Sequence, residues 1–534
     1  MKHLSGVDSL FLAMEHGTQH MHVAGLGIYD PSTAPGGKVR FKSVLAFFAA
    51  RLGQSKVFRR RLVPSPWGVD RPYWVEDGEI DIEYHVRHIA LPHPGDWRQL
   101  MIQVARIHSR ALDMTKPLWE AYIIEGLDNI PGIPKDSFAL YTKFHHSAID
   151  GEAGAELIRA IHSLEPAPQS DPAQAPQALV ADREPTPIEL YARAIGNRAQ
   201  QMFQASRLVA DLGGRALEAG GSLLASGKAA DLVAKAIARV PGADGGLRAV
   251  AGADRDMPGM KAHTRFDAPV SAHRVVDAVG FPLADCRKIR AHVDGVTIND
   301  IFLAATAGAI RSYLEGKGEL PTTTLNALVP LTTRGADKTM DAGNQIGMTA
   351  MPLFTDIADP VERLLAVRRS AGRNKAVQAT LGRDLPARVL EVLPAPLSER
   401  LLRMTLMAMA DVVVSNVRGP EMPLYMAGAQ LVLFCPVSIA FDGVGLNITG
   451  FSYNGTLWVC FVSCRGMMPD PAEFARCLDE NFEALVRGAI ASGPPRGTRA
   501  RARARVAQAP AETTVVAARR TRRPRRSAKA GHSS

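Results

Sequence analysis

Cysteine is scarce in this sequence. Five occur in 534 residues, Cys286, Cys435, Cys460, Cys464 and Cys477, all in the second half. A set so sparse and odd in number excludes the disulfide framework of a small secreted protein and points to a reducing cytoplasm. Cys460-x-x-x-Cys464 lacks the second pair or flanking histidines that would close a tetrahedral site, so no structural zinc is expected. Long apolar runs are missing too. The greasiest stretches, Leu401 to Val414 and Leu431 to Leu446, are interrupted by Arg403, Asp411 and Asp442, and none reaches the roughly 18 residues that a membrane span needs. Asp8 and Glu15 break up the opening seventeen residues, which excludes a signal peptide. A chain of this kind reaches a membrane by lying on it.

Acidic residues are scarce at the C-terminal end. From Pro494 to Ser534 there are twelve Arg or Lys and one acid, Glu512, a local charge of +11. The whole chain carries +10, so the remainder sits at −1. The basic character belongs to a tail, and no nucleic-acid partner is expected for the folded body. The tail, with its Arg-Ala-Arg-Ala-Arg run, holds too few large apolar side chains to build a core.

What is present suffices for two cores: 46% of the residues are hydrophobic and 22% charged, in a chain too long for one ordinary domain. Residues 1–164 mix strand and helix patterns and form the first expected domain. Six prolines between Glu165 and Pro187 mark an exposed connector. Ile188 to about Arg239 is rich in Ala, Leu and Arg. It reads as two or three helices broken at Gly213-Gly214 and Gly220-Gly221. The Gly-rich stretch Pro241 to Gly259 ends this linker region, 165–260. A second domain follows at 261–493, then the tail, 494–534. The expected fold class is α/β.

Chemistry concentrates at His145-His146-Ser147-Ala148-Ile149-Asp150-Gly151. Upstream, Phe138, Leu140, Thr142, Phe144 and His146 alternate onto one face, the signature of a strand. His146 is then expected at its end on the apolar side, with His145 pointing the other way, so the two rings cannot chelate one metal. Asp150 precedes a helix whose apolar stripe is Leu157, Ile158, Ile161 and Leu164. A histidine delivered by a rigid strand into apolar surroundings stays neutral and can accept a hydroxyl proton. The bland alternatives are a hydrogen-bonded core histidine and an N-capping aspartate.

The string His-His-x-x-x-Asp-Gly resembles the signature of coenzyme A-dependent acyltransferases. The likeness extends along the chain to the bacterial wax ester synthase/diacylglycerol acyltransferase family. It includes the opening Leu4-Ser5-Gly6-Val7-Asp8-Ser9-Leu10-Phe11-Leu12, then Met21-His22-Val23-Ala24-Gly25, and Lys116-Pro117-Leu118-Trp119-Glu120 after Leu112-Asp113. It continues with Val296-Thr297-Ile298-Asn299-Asp300 opening a helix that ends near Leu314, and with Ser415-Asn416-Val417-Arg418-Gly419-Pro420. Gly445-Leu446-Asn447 and Ser452-Tyr453-Asn454-Gly455 close the series. Two departures stand out: Ser463-Cys464-Arg465 where relatives carry an acid, and Arg418 where many have a smaller or cyclic residue.

The resemblance implies two chloramphenicol acetyltransferase-like domains with an interdomain tunnel and His146 midway along it as general base. It implies acyl-CoA as substrate, diacylglycerol or a long-chain alcohol as acceptor, and triacylglycerol or wax ester as product. No cofactor or metal is implied, and insoluble substrates imply a peripheral position on a membrane or lipid-droplet surface. His145 and Gly151 complete the motif, and Asp150 supports its loop. Pro117, Trp119, Asn299, Asp300 and Asn416 are implied to bind substrate. Each has a structural alternative: Pro117 and Trp119 as turn and core filler, Asn299 and Asp300 as helix caps, and Asn416 as part of a bend that lets one domain reach across the other. The oxyanion donor is left open between backbone N–H groups and Asn299. Two other readings share the string: a condensation-type acyltransferase with another acceptor, and a non-catalytic lipid-binding relative.

Overall fold

A computed structural model describes residues 1–68, 70–149, 157–166, 181–224, 255–256, 258–332, 346–381, 400 and 408–493. Two six-stranded sheets dominate. The first contains β2 (His22–Asp30), β5 (Val86–Ala90), β6 (Trp119–Glu125) and β7 (Phe138–His145), together with β12 (Tyr425–Met426) and β13 (Ala429–Val437), in the order β12-β13-β2-β7-β6-β5. The second contains β8 (Arg274–Pro282), β9 (Asn326–Thr332), β10 (Ile346–Pro352), β11 (Val412–Arg418), β14 (Asn447–Tyr453) and β15 (Thr456–Cys464), in the order β10-β9-β11-β14-β15-β8. A small sheet of β1 (Lys2–His3), β3 (Arg60–Val63) and β4 (Tyr73–Glu76) sits at the N-terminal end.

The first sheet draws on both halves of the chain. After β11 the chain turns at Gly419-Pro420 and lays β13 antiparallel to β2, pairing Phe434 with Gly27 and Val437 with Ala24. Two glycines of β2 make room for it. A Cβ on Gly27 would come within 2.8 Å of the Leu431 side chain, and one on Gly25 would collide with the Phe434 ring.

The period of two predicted for β7 is present, but both faces of the strand are buried. Ala139 and Tyr141 join the main core with α3 (Trp97–His108), whereas Phe138, Leu140 and Phe144 join a second core with Phe48, Phe58 and Trp119. Even Lys143 is enclosed. Its Nζ lies 3.1 Å from Glu120 Oε2 and donates to the Arg110 carbonyl at 2.9 Å, so the charge is paired rather than solvated. A strand covered on both sides reads in sequence much like a half-exposed one when its inner polar residues pair.

Helices α1 (Gly6–Met14) and α2 (Phe41–Ala49) flank the first sheet. Helices α5 (Leu283–His292), α6 (Ile298–Gly316), α7 (Pro360–Leu381) and α8 (Pro471–Ala491) pack with the second. The described part of the helix after the motif covers residues 157–161. Leu157 and Ile161 are buried there, but Leu164 lies beyond its end and is 64% exposed, so the expected stripe is one residue shorter. Between the halves, α4 runs unbroken from Pro187 to Leu224. The two glycine pairs expected to break it lie inside it. Each glycine costs about 1 kcal/mol relative to Ala, and neighbours rich in Ala, Leu and Arg offset that without a proline to force a break.

Candidate active site

β7 ends at His145, paired across the sheet with His22 of β2. His146 is not the last strand residue that alternation predicts. It opens a short 3-10 turn, His146–Ala148, with His145 as its N-cap. The turn is pinned from three sides. His146 N–H donates to the Met21 carbonyl at 2.7 Å, His145 N–H donates to the Leu118 carbonyl at 3.0 Å, and Arg60 Nη2 donates to the Ala148 carbonyl at 2.6 Å.

This turn gives the two histidines opposite fates. His145 is fully buried and both its ring nitrogens are engaged. Nδ1 accepts the Ser147 amide N–H at 3.1 Å, with Ser147 Oγ at 2.6 Å. An accepting Nδ1 leaves the proton on Nε2, which donates to Glu15 Oε2 at 2.7 Å. Glu15 also accepts the Met21 amide at 3.2 Å, and His20 Nδ1 lies 3.5 Å from its other oxygen. Burial alone pushes the Glu15 carboxyl up, but the hydrogen bond from His145 and the nearby His20 outweigh it and bring the group down to about 2. His145 is therefore held between an anion and a turn.

His146 is half-buried, and its ring stacks on Phe11 of α1 with centroids 3.9 Å apart and planes at 13°. Burial pushes its imidazole down to about 4, with the neighbouring His145 adding to the effect. Its Nδ1 is inaccessible and has no hydrogen-bond partner. No described residue bonds to Nε2, the nitrogen left for a ligand. Burial keeps the ring neutral, stacking orients it, and no described residue bonds to it. Those are the properties of a base awaiting a proton.

Phe11 ties this ring to both halves of the molecule. With Val7, Leu10, Met14 and Met21 it packs against Leu328, Val413, Ile439, Phe441 and Val444 of the second half. Val413 lies on β11, the strand that also carries Asn416. Asn416 Nδ2 donates to Asn299 Oδ1 at 3.3 Å, so two of the sequence-assigned residues do meet. A second tie lies behind His145. His22 Nε2 bonds to the His108 carbonyl, and His108 accepts at Nδ1 from Tyr141 Oη at 2.8 Å while donating from Nε2 to the Ser438 carbonyl at 3.0 Å. Burial keeps both rings neutral, pushing His108 down to about 3 and His22 well below its ordinary value.

Three assigned residues have other work. Trp119 is wholly enclosed: its Nε1 donates to the Phe58 carbonyl at 3.0 Å, and its ring stacks on His85 with centroids 4.5 Å apart. It fills the core. Pro117 is buried in the tight turn before it, its carbonyl accepting the Trp119 amide at 2.8 Å. Asp300 is the far half of a capping box. Its Oδ2 accepts from both the amide and the hydroxyl of Thr297 at 2.8 Å, so the carboxylate serves the start of the helix. Asp150 and Gly151 lie outside the described residues. Among the described residues, no group of three His, Cys, Asp or Glu could hold a metal ion.

Sequence reasoning missed Glu15 and Phe11 as site residues. Phe11 was noted only as part of an opening motif, and Glu15 only as a charge among apolar residues. The one local hint was the run of histidines, His16, His20 and His22, that follows Glu15.

Two sheet-rich α/β bodies, joined by a crossing strand and carrying a half-buried histidine in the turn just after a central strand, have the chloramphenicol acetyltransferase-like fold of an acyltransferase. The chain belongs to the wax ester synthase/diacylglycerol acyltransferase family: the family's catalytic domain matches residues 4–302 and its C-terminal domain residues 342–486. It is 32% identical over 497 residues to the O-acyltransferase WSD of Acinetobacter baylyi, covering 92% of this chain and 98% of that one. The structure is similar to the wax ester synthase/diacylglycerol acyltransferase of Marinobacter aquaeolei VT8, with a TM-score of 0.61 and 26% identity over 91% of this chain and 100% of that one. The first condensation domain of the calcium-dependent antibiotic synthetase shares the fold, with a TM-score of 0.53 and 14% identity over 92% of this chain and 98% of that one.

Proposed function

We propose that this O-acyltransferase moves a long-chain acyl group from acyl-CoA to the free hydroxyl of diacylglycerol, forming triacylglycerol, and that it accepts a long-chain alcohol in the same way to form wax ester. The observation that carries the proposal is the contrast between adjacent histidines: His145 is bonded at both nitrogens, and His146 is bonded by described residues at neither. In this reading Nε2 of His146 takes the acceptor's hydroxyl proton as the oxygen attacks the thioester carbonyl carbon. The carbon–sulfur bond then breaks, and the imidazolium returns the proton to the departing thiolate. A ring pushed down to about 4 is neutral at neutral pH, as the first step needs.

Acyl-CoA is the donor on this reading, and no cofactor takes part. His145, locked by Glu15 and Ser147, holds the turn that presents His146, and Asp150 and Gly151 complete the motif in sequence. The reacting groups meet where both sheets contribute to the cluster around Phe11, in a passage between an N-terminal domain, 1–164 completed by β13, and a C-terminal domain, 261–493. The Asn299–Asn416 pair or a backbone N–H supplies the hydrogen bond to the developing oxyanion. Insoluble substrates place the enzyme at a membrane or lipid-droplet surface. Among the described residues no helix is long and apolar enough to cross a membrane. Purified protein given palmitoyl-CoA with dioleoylglycerol or hexadecanol tests the reading: ester formation matched by free CoA supports it, and CoA release without ester overturns it.

A further inference from the structure

The long helix α4 has two unlike faces. One packs on the body: Leu190 and Ala194 are buried, and Asn197 Nδ2 donates to Asp70 Oδ2 at 2.7 Å and to Tyr73 Oη at 2.8 Å. The opposite face should be polar in a helix of this kind. Instead Ile188, Tyr191, Ile195 and Met202 recur there at positions i, i+3, i+7 and i+14, and Ile188 and Met202 are 83% and 76% exposed. Trp67, from a loop of the first half, joins the stripe. It is 86% exposed, held at φ 52°, and its ring meets Tyr191 edge-on with centroids 5.7 Å apart. Phe203 extends the patch under Arg207, whose guanidinium carbon lies 4.5 Å from the ring centre.

These six side chains are half of the twelve large hydrophobic residues exposed among the described residues, gathered on one face. Scattered apolar residues need no explanation, but a continuous stripe does. Its composition identifies the occupant. Trp and Tyr favour the headgroup level of a bilayer, and apolar side chains flanked by arginines form the pattern of a helix lying in the interface. From Ile188 to Arg207 the helix carries Arg193, Arg198 and Arg207 against one acid, Glu189, a net positive edge that complements anionic headgroups.

We infer that this face, Trp67 with the outer stripe of α4, is the surface by which the protein rests on an anionic lipid layer, with the stripe seated at the headgroup boundary. The inference deepens the acyltransferase reading and rests on it, because an enzyme whose acceptor is dissolved in lipid must rest on the lipid surface to reach it.

The test compares the full chain with the triple variant Trp67→Ser/Ile195→Ser/Met202→Ser. Both are mixed with phosphatidylcholine vesicles containing phosphatidylglycerol, in high salt that screens the basic tail. The wild type is expected to sediment with the vesicles, and the variant's partition coefficient to fall at least about tenfold. The variant should keep its melting temperature and its transfer rate between a water-soluble short-chain acyl-CoA and a short alcohol, since none of the three residues touches the site. Equal sedimentation of the two proteins overturns the inference. So does a wild type that is dimeric in solution while the variant is monomeric, which would assign the face to a second copy. Failure of the soluble transfer reaction in the wild type would strike the functional reading, while the sedimentation result still decides the surface.

Discussion

Glu15 Oε2 lies 2.7 Å from Nε2 of His145, across 130 positions of sequence, and this contact sets the two adjacent histidines of the motif apart. It fixes the His145 tautomer, and the Ser147 amide on Nδ1 completes the lock. Replacing Glu15 by Ala leaves the His145 Nε2–H and the Met21 N–H without an acceptor, a cost of about 1–3 kcal/mol for each group left unmade. Glu15→Ala should therefore lower the melting temperature clearly, and Glu15→Gln, which keeps an acceptor, should lower it less. Equal melts for the wild type and Glu15→Ala would show that the contact does not hold the turn.

His146→Ala removes the uncommitted ring and should cut the turnover rate by about 10²–10⁴. His145→Ala should retain more activity at low temperature but melt earlier, because it strips the half-buried Glu15 carboxylate of its shortest hydrogen bond. Thermal melts beside initial rates check this. A His145 variant that is stable and dead beside a His146 variant that is active would reverse the assignment.

Much of this site was legible in the sequence. The motif gave the two histidines, and alternation gave β7. Alternation could not show that both faces of β7 are covered, because Lys143 looks solvated until Glu120 is found opposite it. Nor could it separate His145 from His146 on chemical grounds, since the separating contact comes from Glu15 at the far end of α1. The crossing of β13 onto β2 was readable only as a bend at Gly419-Pro420, because its partner glycines, Gly25 and Gly27, lie some four hundred residues away. Trp119 illustrates the opposite error. A motif position next to the site looks functional, yet its indole hydrogen bond and the stacked His85 are signs of packing.

Trp119→Ala should accordingly behave as a core mutation, costing about 3–5 kcal/mol. Trp119→Phe should fold and show an unchanged KM for acyl-CoA. A raised KM with an unaltered melt would return Trp119 to the substrate path.

The buried histidines fix a direction for pH dependence. Those of His146 and His162 are pushed down from 6.5 to about 4, and that of His108 to about 3, in each case chiefly by burial. The unfolded chain then binds more protons than the folded one between 6.5 and those values, so stability falls as pH falls through that window. Asp411, pushed up from 3.8 to about 7 by burial, acts with the opposite sign, losing stability as pH rises through that range. Burial also pushes Asp277 and Asp479 up and His22 and His85 down, so five histidines stand against three carboxyls and melts should decline from pH 6.5 toward 4. Within the range where the fold survives, kcat/KM should not lose half its value at 6.5, as an ordinary imidazole base would. Differential scanning calorimetry and a pH–rate profile measure the two effects separately.

The most direct test of the account is product analysis by mass spectrometry with palmitoyl-CoA and dioleoylglycerol, run on the wild type and on His146→Ala at matched folded concentration. The account predicts triacylglycerol with one CoA freed per ester in the wild type, and a loss of about 10²–10⁴ in the variant with its melt little changed. Ester formed at an undiminished rate by His146→Ala would contradict it.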